Sequence, residues 1–374
     1  MKKLLICTDS FLPRIDGIAI FLHNLIPLLA KKYKITIIAP EYPGNHINYK
    51  DVEIIKIPIT KINIANYRPA KLNRELIKNH VLSHDIIFTQ TIGPIGALSI
   101  IYASKLNKPS IAFTHSIEWE LFIKAINFPK ILKIHATSLM KIISKNLYNK
   151  CNLLIVPSVN TSITLEKAGI KTKKTVIRVG LDSKKFIPTK NKNLAKKKIG
   201  INSDYIVIGY SGRISHEKNL SLLVKTFKEL QDKYKLYLLL VGDDGSEKAK
   251  RDLIGKDIRI TSFVKDVAPY LQAMDIYVLP SLTETSSIST IEAMSTEIPV
   301  IATPIGAIKE YIHHGYNGFF IKLNSEKSLK ENLVKLIEDK KLRLKIGKNA
   351  RKTVTKMFSW KKTSSELIKV FEKF

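Results

Sequence analysis

The chain has few cysteines and no long apolar run. Only two of its 374 residues are cysteine, and both lie beside apolar segments, which excludes a disulfide framework and predicts buried thiols in a reducing compartment. The apolar start at residues 1–6 ends at Thr8-Asp9, too early for a secretory signal, and no stretch has the length to cross a membrane. The sequence therefore predicts a cytoplasmic protein.

Acidic residues are scarce as well. The formal net charge is +30, yet only 9 of the 62 basic residues are arginine, the side chain that proteins favour for reading phosphates and bases. The excess is spread over both halves of the chain, so a lysine-rich composition explains much of it. A basic nucleic-acid-binding protein is one alternative, but no nucleic acid is expected as a partner, because the paired carboxylates described below would repel a phosphate backbone.

Short apolar segments alternate with helical patterns along both halves of the chain. This alternation predicts parallel sheets covered on both faces, and hence an α/β fold of two doubly wound, Rossmann-like domains. The predicted boundaries are a first domain over residues 1–182, a polar linker over 183–204, a second domain over 205–358, and a C-terminal helix over 359–374 that is long enough to pack back on the first domain. Ligands of such sheets bind at the carboxyl ends of the strands, here in the cleft between the domains.

The segment with the clearest chemical pattern is residues 280–294. Glu284 and Glu292 stand eight positions apart in a strand–loop–helix–strand unit, and the loop between them is rich in hydroxyl groups. The free N–H groups of a loop and a helix start suit a phosphate, while carboxylates accept hydrogen bonds from sugar hydroxyls. Together they predict a pocket for a sugar nucleotide.

Three further segments follow predicted strands. Gly17 opens a helix, where its backbone can approach a phosphate. His115 comes just after a buried strand and can orient or polarise a hydroxyl. Arg213 stands on a glycine turn with Lys218 five residues on, and two cations there can neutralise a diphosphate leaving group. Each has a plain alternative: an ordinary turn, a half-buried histidine, or solvated charges. The order of all four segments along two predicted sheet edges favours the functional interpretation.

Several short motifs carry a resemblance to a known family. They are Ser211-Gly212-Arg213 with Lys218-Asn219, Val241-Gly242-Asp243, the Glu-x7-Glu segment with Ala293-Met294, and Pro299-Val300-Ile301-Ala302-Thr303. In these the chain resembles glycosyltransferase family 4, retaining enzymes with the GT-B fold, over nearly its whole length. Two positions depart from the family pattern: Ser287 stands where glycine is usual and Ser286 where an aromatic residue is frequent. Serine keeps the backbone N–H but adopts a positive φ less readily than glycine.

The resemblance implies a retaining transferase that takes a hexose from a nucleoside diphosphate sugar and needs no metal or other cofactor. It implies a catalytic group of Arg213, Lys218, His115 and Glu284, in which Glu284 positions the sugar and is not a nucleophile. The implied donor-binding residues are Gly17, Gly212, Arg213, Lys218, Glu284, Ser286, Ser287, Ile288 and Glu292. A sugar-nucleotide epimerase of the same fold is the alternative enzyme.

A predicted basic helix indicates that the acceptor lies at a membrane surface. No acidic residue stands between Glu120 and Glu166, and Pro129 can start a helix in which four lysines share one arc, opposite a set of apolar residues. The lysines are Lys130, Lys133, Lys141 and Lys145, and the apolar residues are Leu132, Leu139, Ile142 and Ile143. Such a helix can lie on anionic lipid.

The expected acceptor is therefore a lipid or lipid-linked glycan, as in glycolipid synthesis for the cell envelope, reached by an enzyme peripheral on the inner face of the membrane. One alternative is a basic helix whose apolar face packs on its own sheet. The other is a soluble or polysaccharide acceptor.

Overall fold

The chain divides into two compact units in the computed structural model. The first unit contains Met1–Gly180 and Trp360–Phe374, and the second contains Leu181–Ser359. The structure describes residues 1–14, 16–45, 47–62, 67–120, 130–243, 253–284 and 286–374, without the side chains of residues 130 and 131.

The first unit is built on a parallel sheet. Seven strands of its described part are ordered β3-β2-β1-β4-β5-β6-β7. The strands are β1 (Lys3–Cys7), β2 (Lys34–Glu41), β3 (Val52–Pro58), β4 (Ile86–Thr89), β5 (Ser110–Phe113), β6 (Leu153–Val156) and β7 (Lys174–Val176). The helices are α1 (Gly17–Leu29), α2 (Arg74–Ser83), α3 (Pro94–Lys105), α4 (Lys130–Tyr148) and α5 (Val159–Lys167), with α13 (Trp360–Phe371) from the C-terminus.

The second unit contains its own parallel sheet, with six described strands in the order β10-β9-β8-β11-β12-β13. The strands are β8 (Ile206–Ser211), β9 (Leu236–Val241), β10 (Ile258–Ile260), β11 (Ile276–Leu279), β12 (Val300–Ala302) and β13 (Phe319–Phe320). The helices are α6 (Lys192–Lys198), α7 (Leu220–Gln231), α8 (Ala268–Ala273), α9 (Ile288–Ser295), α10 (Ile308–Tyr311), α11 (Glu326–Glu338) and α12 (Lys340–Met357).

Apolar strand sequences explain both sheets. Strands β6 and β11 are buried at every position, as expected for parallel strands covered on both faces by helices. The two cysteines, Cys7 and Cys151, are buried free thiols, and burial raises the pKa of each to about 12. The predicted fold class, two doubly wound sheets, is therefore confirmed.

The C-terminal helix α13 belongs to the first unit. Leu367 and Phe371 are fully buried there, and the ring of Phe371 meets Phe88 of β4 edge-on at a centroid distance of 5.0 Å. A Cβ at Gly180 would lie 2.6 Å from the ring of Trp360. The absence of a side chain at Gly180 thus permits the chain to pass close to the start of this helix.

Residues 183–204, for which the sequence predicts a polar linker, lie within the second unit and contain α6. Lys196 of this helix is buried, with its Nζ 2.7 Å from Asp275 Oδ2 and 2.7 Å from Tyr205 O. Lys192 Nζ donates to Met274 O at 2.6 Å, and burial lowers the pKa of Lys192 to about 8. These lysines fasten α6 to the amino edge of the sheet and are not simply solvated.

The buried ion pair should matter for the stability of the second unit. Removing one partner leaves an uncompensated buried charge, so we expect Asp275→Asn to lower the free energy of unfolding by about 3–5 kcal/mol. The control is Lys197→Met, which removes an exposed charge from the same helix and should change stability by about 0.5 kcal/mol or less. Urea unfolding followed by circular dichroism measures both. Equal effects of the two substitutions would contradict this account of α6.

Candidate functional site

The loop after β8 carries the predicted cations. Gly212 has φ +139° and Gly242, after the neighbouring strand β9, has φ +137°, a region that favours glycine. A Cβ at Gly242 would lie 2.0 Å from Gly212 O, so the absence of a side chain at Gly242 allows the backbones of the two loops to approach closely. Arg213 follows with an exposed side chain, and a 3₁₀ turn, His216–Lys218, leads into α7.

The loop after β11 meets this turn. Glu284 Oε1 lies 2.6 Å from Lys218 Nζ and accepts a second hydrogen bond from Ser281 Oγ at 3.0 Å. A backbone hydrogen bond also connects the loop after β11 to the turn after β8, because Leu282 N–H donates to Glu217 O at 2.8 Å. The side chain of Glu284 is 9% exposed and that of Lys218 19%. The structure therefore brings together two of the predicted site residues that stand 66 positions apart in the sequence.

Arg213 also contributes to the electrostatics of this cluster. Burial acts to raise the pKa of Glu217, yet hydrogen bonds and the charges of Arg213 and Lys218 lower it below its usual value. Two cations and the two carboxylates of Glu217 and Glu284 thus share the carboxyl edge of β8 and β11. Such an edge can hold a dianionic group on its cations while a carboxylate accepts hydrogen bonds from hydroxyls.

Ser287, at the position where glycine is usual in the family pattern, has the positive φ that glycine adopts readily. It has φ +48° and ψ +70° and begins α9, and its Oγ lies 2.7 Å from Thr290 Oγ1. Ser286 is partly buried beside it, and the side chain of Ile288 is exposed. Thr285, just before them, lies outside the described residues. Ser287 thus adopts a positive φ although it is not glycine.

Glu292, the second predicted carboxylate, lies one turn into α9. It is partly buried, and burial raises its pKa to about 7, opposed by the charge of Lys185. A carboxyl group that protonates near neutral pH can both donate and accept a hydrogen bond. Its assignment to ribose hydroxyls stays a prediction.

His115 lies in the first unit, after β5, and is a neutral imidazole. Its ring stacks on Phe113 at a centroid distance of 4.4 Å and meets Phe21 edge-on at 4.8 Å. Burial lowers its pKa to about 3, although the charge of Asp16 acts to raise it. Its Nε2 lies 2.9 Å from Gln90 Oε1, and with the amide in this orientation Nδ1 is left as an acceptor. His115 is thus able to orient a hydroxyl but not to act as a cation.

Gly17 is the first residue of α1, and the N-cap of this helix is a carboxylate. Asp16 Oδ1 accepts from the N–H groups of Ile18 and Ala19, each at 3.0 Å, and Arg14 Nε lies 3.0 Å from Asp16 Oδ2. No described atom lies within 4 Å of the place where a Cβ on Gly17 would stand. The prediction that this helix start binds phosphate therefore rests on Gly17 N–H, because Asp16 takes the next two donors.

Helix α4 turns its apolar residues outward. Leu132, Leu139 and Ile142 are 53%, 58% and 55% exposed, and Ile143 is exposed as well. The alternative interpretation, in which this face packs on its own sheet, is therefore wrong. The packed side carries Met140, Ser144, Leu147 and Tyr148.

The lysines predicted to accompany this apolar face are only partly displayed. Lys141 and Lys145 are exposed and Lys133 is partly buried. The side chain of Lys130 and all of Pro129 lie outside the described residues. No helix in the described part of the chain has the length and apolar content that crossing a bilayer requires.

Two polar residues near His115 were not predicted. Gln90 is buried directly after β4, and its Nε2 has no partner among the described residues. Glu118 accepts a hydrogen bond from Tyr148, the last residue of α4, and burial raises the pKa of Glu118 to about 7. The sequence signal for Glu118 was its place three residues after His115, but its buried partner lies 30 positions away. Among the described residues no His, Cys, Asp and Glu cluster could hold a metal ion.

Comparison with known proteins gives the family. The family described as Glycosyltransferase Family 4 matches residues 15–185, and Glycosyl transferases group 1 matches residues 191–353. The two matches together span most of both units, and the predicted family is confirmed. The chain belongs to the family 4-like glycosyltransferases, is an enzyme of that class, and has the GT-B fold.

Individual relatives are distant. The alpha-monoglucosyldiacylglycerol synthase of Acholeplasma laidlawii is 25% identical and the match covers 92% of this chain and 90% of that protein. The capsular polysaccharide biosynthesis glycosyltransferase CapM of Staphylococcus aureus is 31% identical, over 52% of this chain and 53% of that protein. The structure of HepE from Anabaena in complex with UDP and glucose matches with a TM-score of 0.79 at 16% identity, over 100% of both chains.

The raised pKa of Glu292 predicts how stability depends on pH. Since burial lifts this pKa from 4.5 to about 7, the native state binds more protons than the unfolded state between these values, and stability falls as pH rises through that window. We expect Glu292→Gln to gain stability relative to the parent between pH 5 and 8, by up to about 3 kcal/mol. Urea unfolding at both pH values measures it. The control, exposed Glu331→Gln, should show no such gain, and a pH-independent difference for Glu292→Gln would contradict the assignment.

Proposed function

We propose that the protein transfers a hexose, with retention of configuration, from a nucleoside diphosphate sugar to a lipid or lipid-linked acceptor at a membrane surface. The observation that carries the donor half is the contact between the two loops of the second unit, in which Lys218 and Glu284 lie side by side. A sugar nucleotide has both a diphosphate and sugar hydroxyls, and this edge presents a partner for each. The HepE structure, solved with UDP and glucose, has the same fold.

In the proposed reaction, negative charge grows on the diphosphate as the glycosidic bond breaks. Arg213, Lys218 and the N–H groups around Gly212 and Ser287 stabilise that charge, so the reaction needs no metal ion. Glu284 holds hydroxyls of the transferred sugar and Glu292 those of the ribose. His115, neutral at physiological pH, accepts a hydrogen bond from a hydroxyl near the reacting carbon.

The acceptor half of the proposal rests on α4. Four of its apolar side chains, those of Leu132, Ile134, Leu139 and Ile142, are more than half exposed, and Lys141 and Lys145 are exposed as well. An apolar stripe bordered by lysines fits the interface of an anionic bilayer, where the stripe enters the acyl boundary and the lysines meet headgroups. The synthase of Acholeplasma laidlawii carries a diacylglycerol lipid in its name, which supports a lipid acceptor here.

A polysaccharide acceptor is the second candidate. The observation in its favour is the likeness to CapM, whose name refers to capsular polysaccharide biosynthesis.

Thermal shifts with a panel of nucleotide sugars identify the donor. Product analysis with that donor then separates transfer to diacylglycerol from transfer to an oligosaccharide, and formation of an epimeric sugar nucleotide would overturn transfer altogether.

Glu284 provides the test of the donor site. Each hydrogen bond to a charged group contributes about 1.5–3 kcal/mol, so losing two with Glu284→Ala should reduce turnover on the order of a hundredfold. Turnover is measured with the donor that gives the largest thermal shift. The control, Glu331→Ala, removes an exposed carboxylate of α11 and should leave turnover unchanged. Full turnover by a folded Glu284→Ala protein would rule out the assigned role.

Helix α4 provides the test of the membrane surface. Each Leu or Ile that enters the interface contributes about 1.5–3 kcal/mol, so Leu139→Glu with Ile142→Glu should weaken binding to vesicles of phosphatidylglycerol and phosphatidylcholine by about tenfold or more. Flotation measures the bound fraction. The matched control is Leu344→Glu on α12, a leucine 54% exposed. If the parent protein binds no anionic vesicle, the membrane proposal fails while the transferase proposal stands.

A further inference from the structure

Three tyrosines of the second unit are buried beneath the candidate donor site. They are Tyr210 in β8, Tyr277 in β11 and Tyr311 at the end of α10, and each is at most 1% exposed. A buried hydroxyl is costly unless it is hydrogen-bonded, and phenylalanine would fill the same space without that cost. What the hydroxyls contact therefore indicates what they do.

The Tyr210 hydroxyl holds the loop that carries Arg213. It donates to Arg213 O at 2.7 Å, so this carbonyl points toward the core. In a planar trans peptide the C=O and the following N–H point in opposite directions. Ile214 N–H is therefore turned away from Tyr210, and it donates to no group in the described part of the chain.

The Tyr311 hydroxyl holds the other loop in the same way. It donates to Ser286 O at 3.4 Å and lies near the hydroxyls of Ser287 and Thr290. Because Ser286 O is turned toward Tyr311, Ser287 N–H points the opposite way. This is the N–H that the proposed reaction directs at the donor diphosphate.

The Tyr277 hydroxyl links the two loops. It lies 3.1 Å from Ser211 O and 3.0 Å from Ser289 Oγ. A carbonyl only accepts, so Tyr277 donates to Ser211 O and accepts from Ser289. Ser211 ends β8 and Ser289 lies in the first turn of α9, so one buried hydroxyl sets the distance between the Arg213 loop and the helix that Ser287 begins.

We infer that Tyr210, Tyr277 and Tyr311 are positioning residues. The hydroxyls of Tyr210 and Tyr311 hold loop carbonyls inward, so that the N–H groups of Ile214 and Ser287 face a bound diphosphate, and the hydroxyl of Tyr277 sets the distance between the two loops. The inference rests on the proposed function, because it needs that diphosphate to bind at these loops. Without a hydroxyl the carbonyl has no buried partner. The peptide then gains by turning toward water, which turns the N–H away from the ligand.

The test compares three conservative variants with a matched control. Tyr210→Phe, Tyr277→Phe and Tyr311→Phe each remove one hydroxyl beneath the site. Tyr205→Phe also removes a hydroxyl bond within the second unit, to Asp257 Oδ1 at 3.1 Å, but just before β8, at the opposite edge of the sheet. Calorimetry measures the Kd for UDP, GDP and ADP, with the tightest binder used throughout, and for inorganic pyrophosphate. Thermal melting measures the stability of each variant.

We expect Tyr210→Phe and Tyr311→Phe to weaken binding of the nucleoside diphosphate and of pyrophosphate by about tenfold or more. Tyr205→Phe should keep the parent Kd even where its loss of thermal stability is as large. This separation is the readout that a merely structural role would not produce.

Parent-like Kd values in folded Tyr210→Phe and Tyr311→Phe would overturn the inference and leave the proposed function standing. If all three variants fail to fold, the hydroxyls serve the core and the inference also falls. If the parent protein binds none of the nucleoside diphosphates, the proposed function and the inference fall together.

Discussion

The ion pair between Lys218 and Glu284 joins the two loops on which the candidate site depends. It forms because β8 and β11 are neighbours in a parallel sheet, so that their carboxyl ends, and the loops that follow, come to one edge. Both side chains are largely withdrawn from water, where a charge interaction is stronger than at the surface. The pair also orients both residues, because Lys218 Nζ and Glu284 Oε1 point toward one another. A ligand with a diphosphate next to hydroxyls matches a cation and a carboxylate held at this spacing.

The first unit offers different chemistry at the end of its own strands. His115 is a neutral ring packed on Phe113 and Phe21, and the start of α1 is capped by the carboxylate of Asp16. Neither group is suited to neutralise a dianion. In the proposed reaction Arg213 and Lys218 therefore stabilise most of the negative charge that grows on the diphosphate. The first unit orients hydroxyls.

Much of the fold could be predicted because buried parallel strands have a local signature, a short apolar run such as residues 153–156. The candidate site could be predicted for the residues that directly follow the carboxyl ends of strands, such as Arg213 and Glu284. Other features depend on partners distant in sequence. Lys196 looks solvated within its basic run because its partner Asp275 lies far along the chain. The role of the tyrosine hydroxyls could not be predicted for a related reason. In the sequence, Tyr277 looks like one more apolar residue of a buried strand.

Helix α4 shows a different limit of sequence reasoning. Periodicity separates the two sides of a helix but does not say which side meets the protein. Here the packed side includes the small Ser144 beside Leu147, and the leucines of the other side stay in water. This outcome also distinguishes between anionic partners. A nucleic acid would pair with the lysines through its phosphates and leave Leu132 and Leu139 exposed, whereas a bilayer interface would bury them while its headgroups meet Lys141 and Lys145. The net positive charge alone fits either partner, and it is the exposed apolar stripe that favours the membrane.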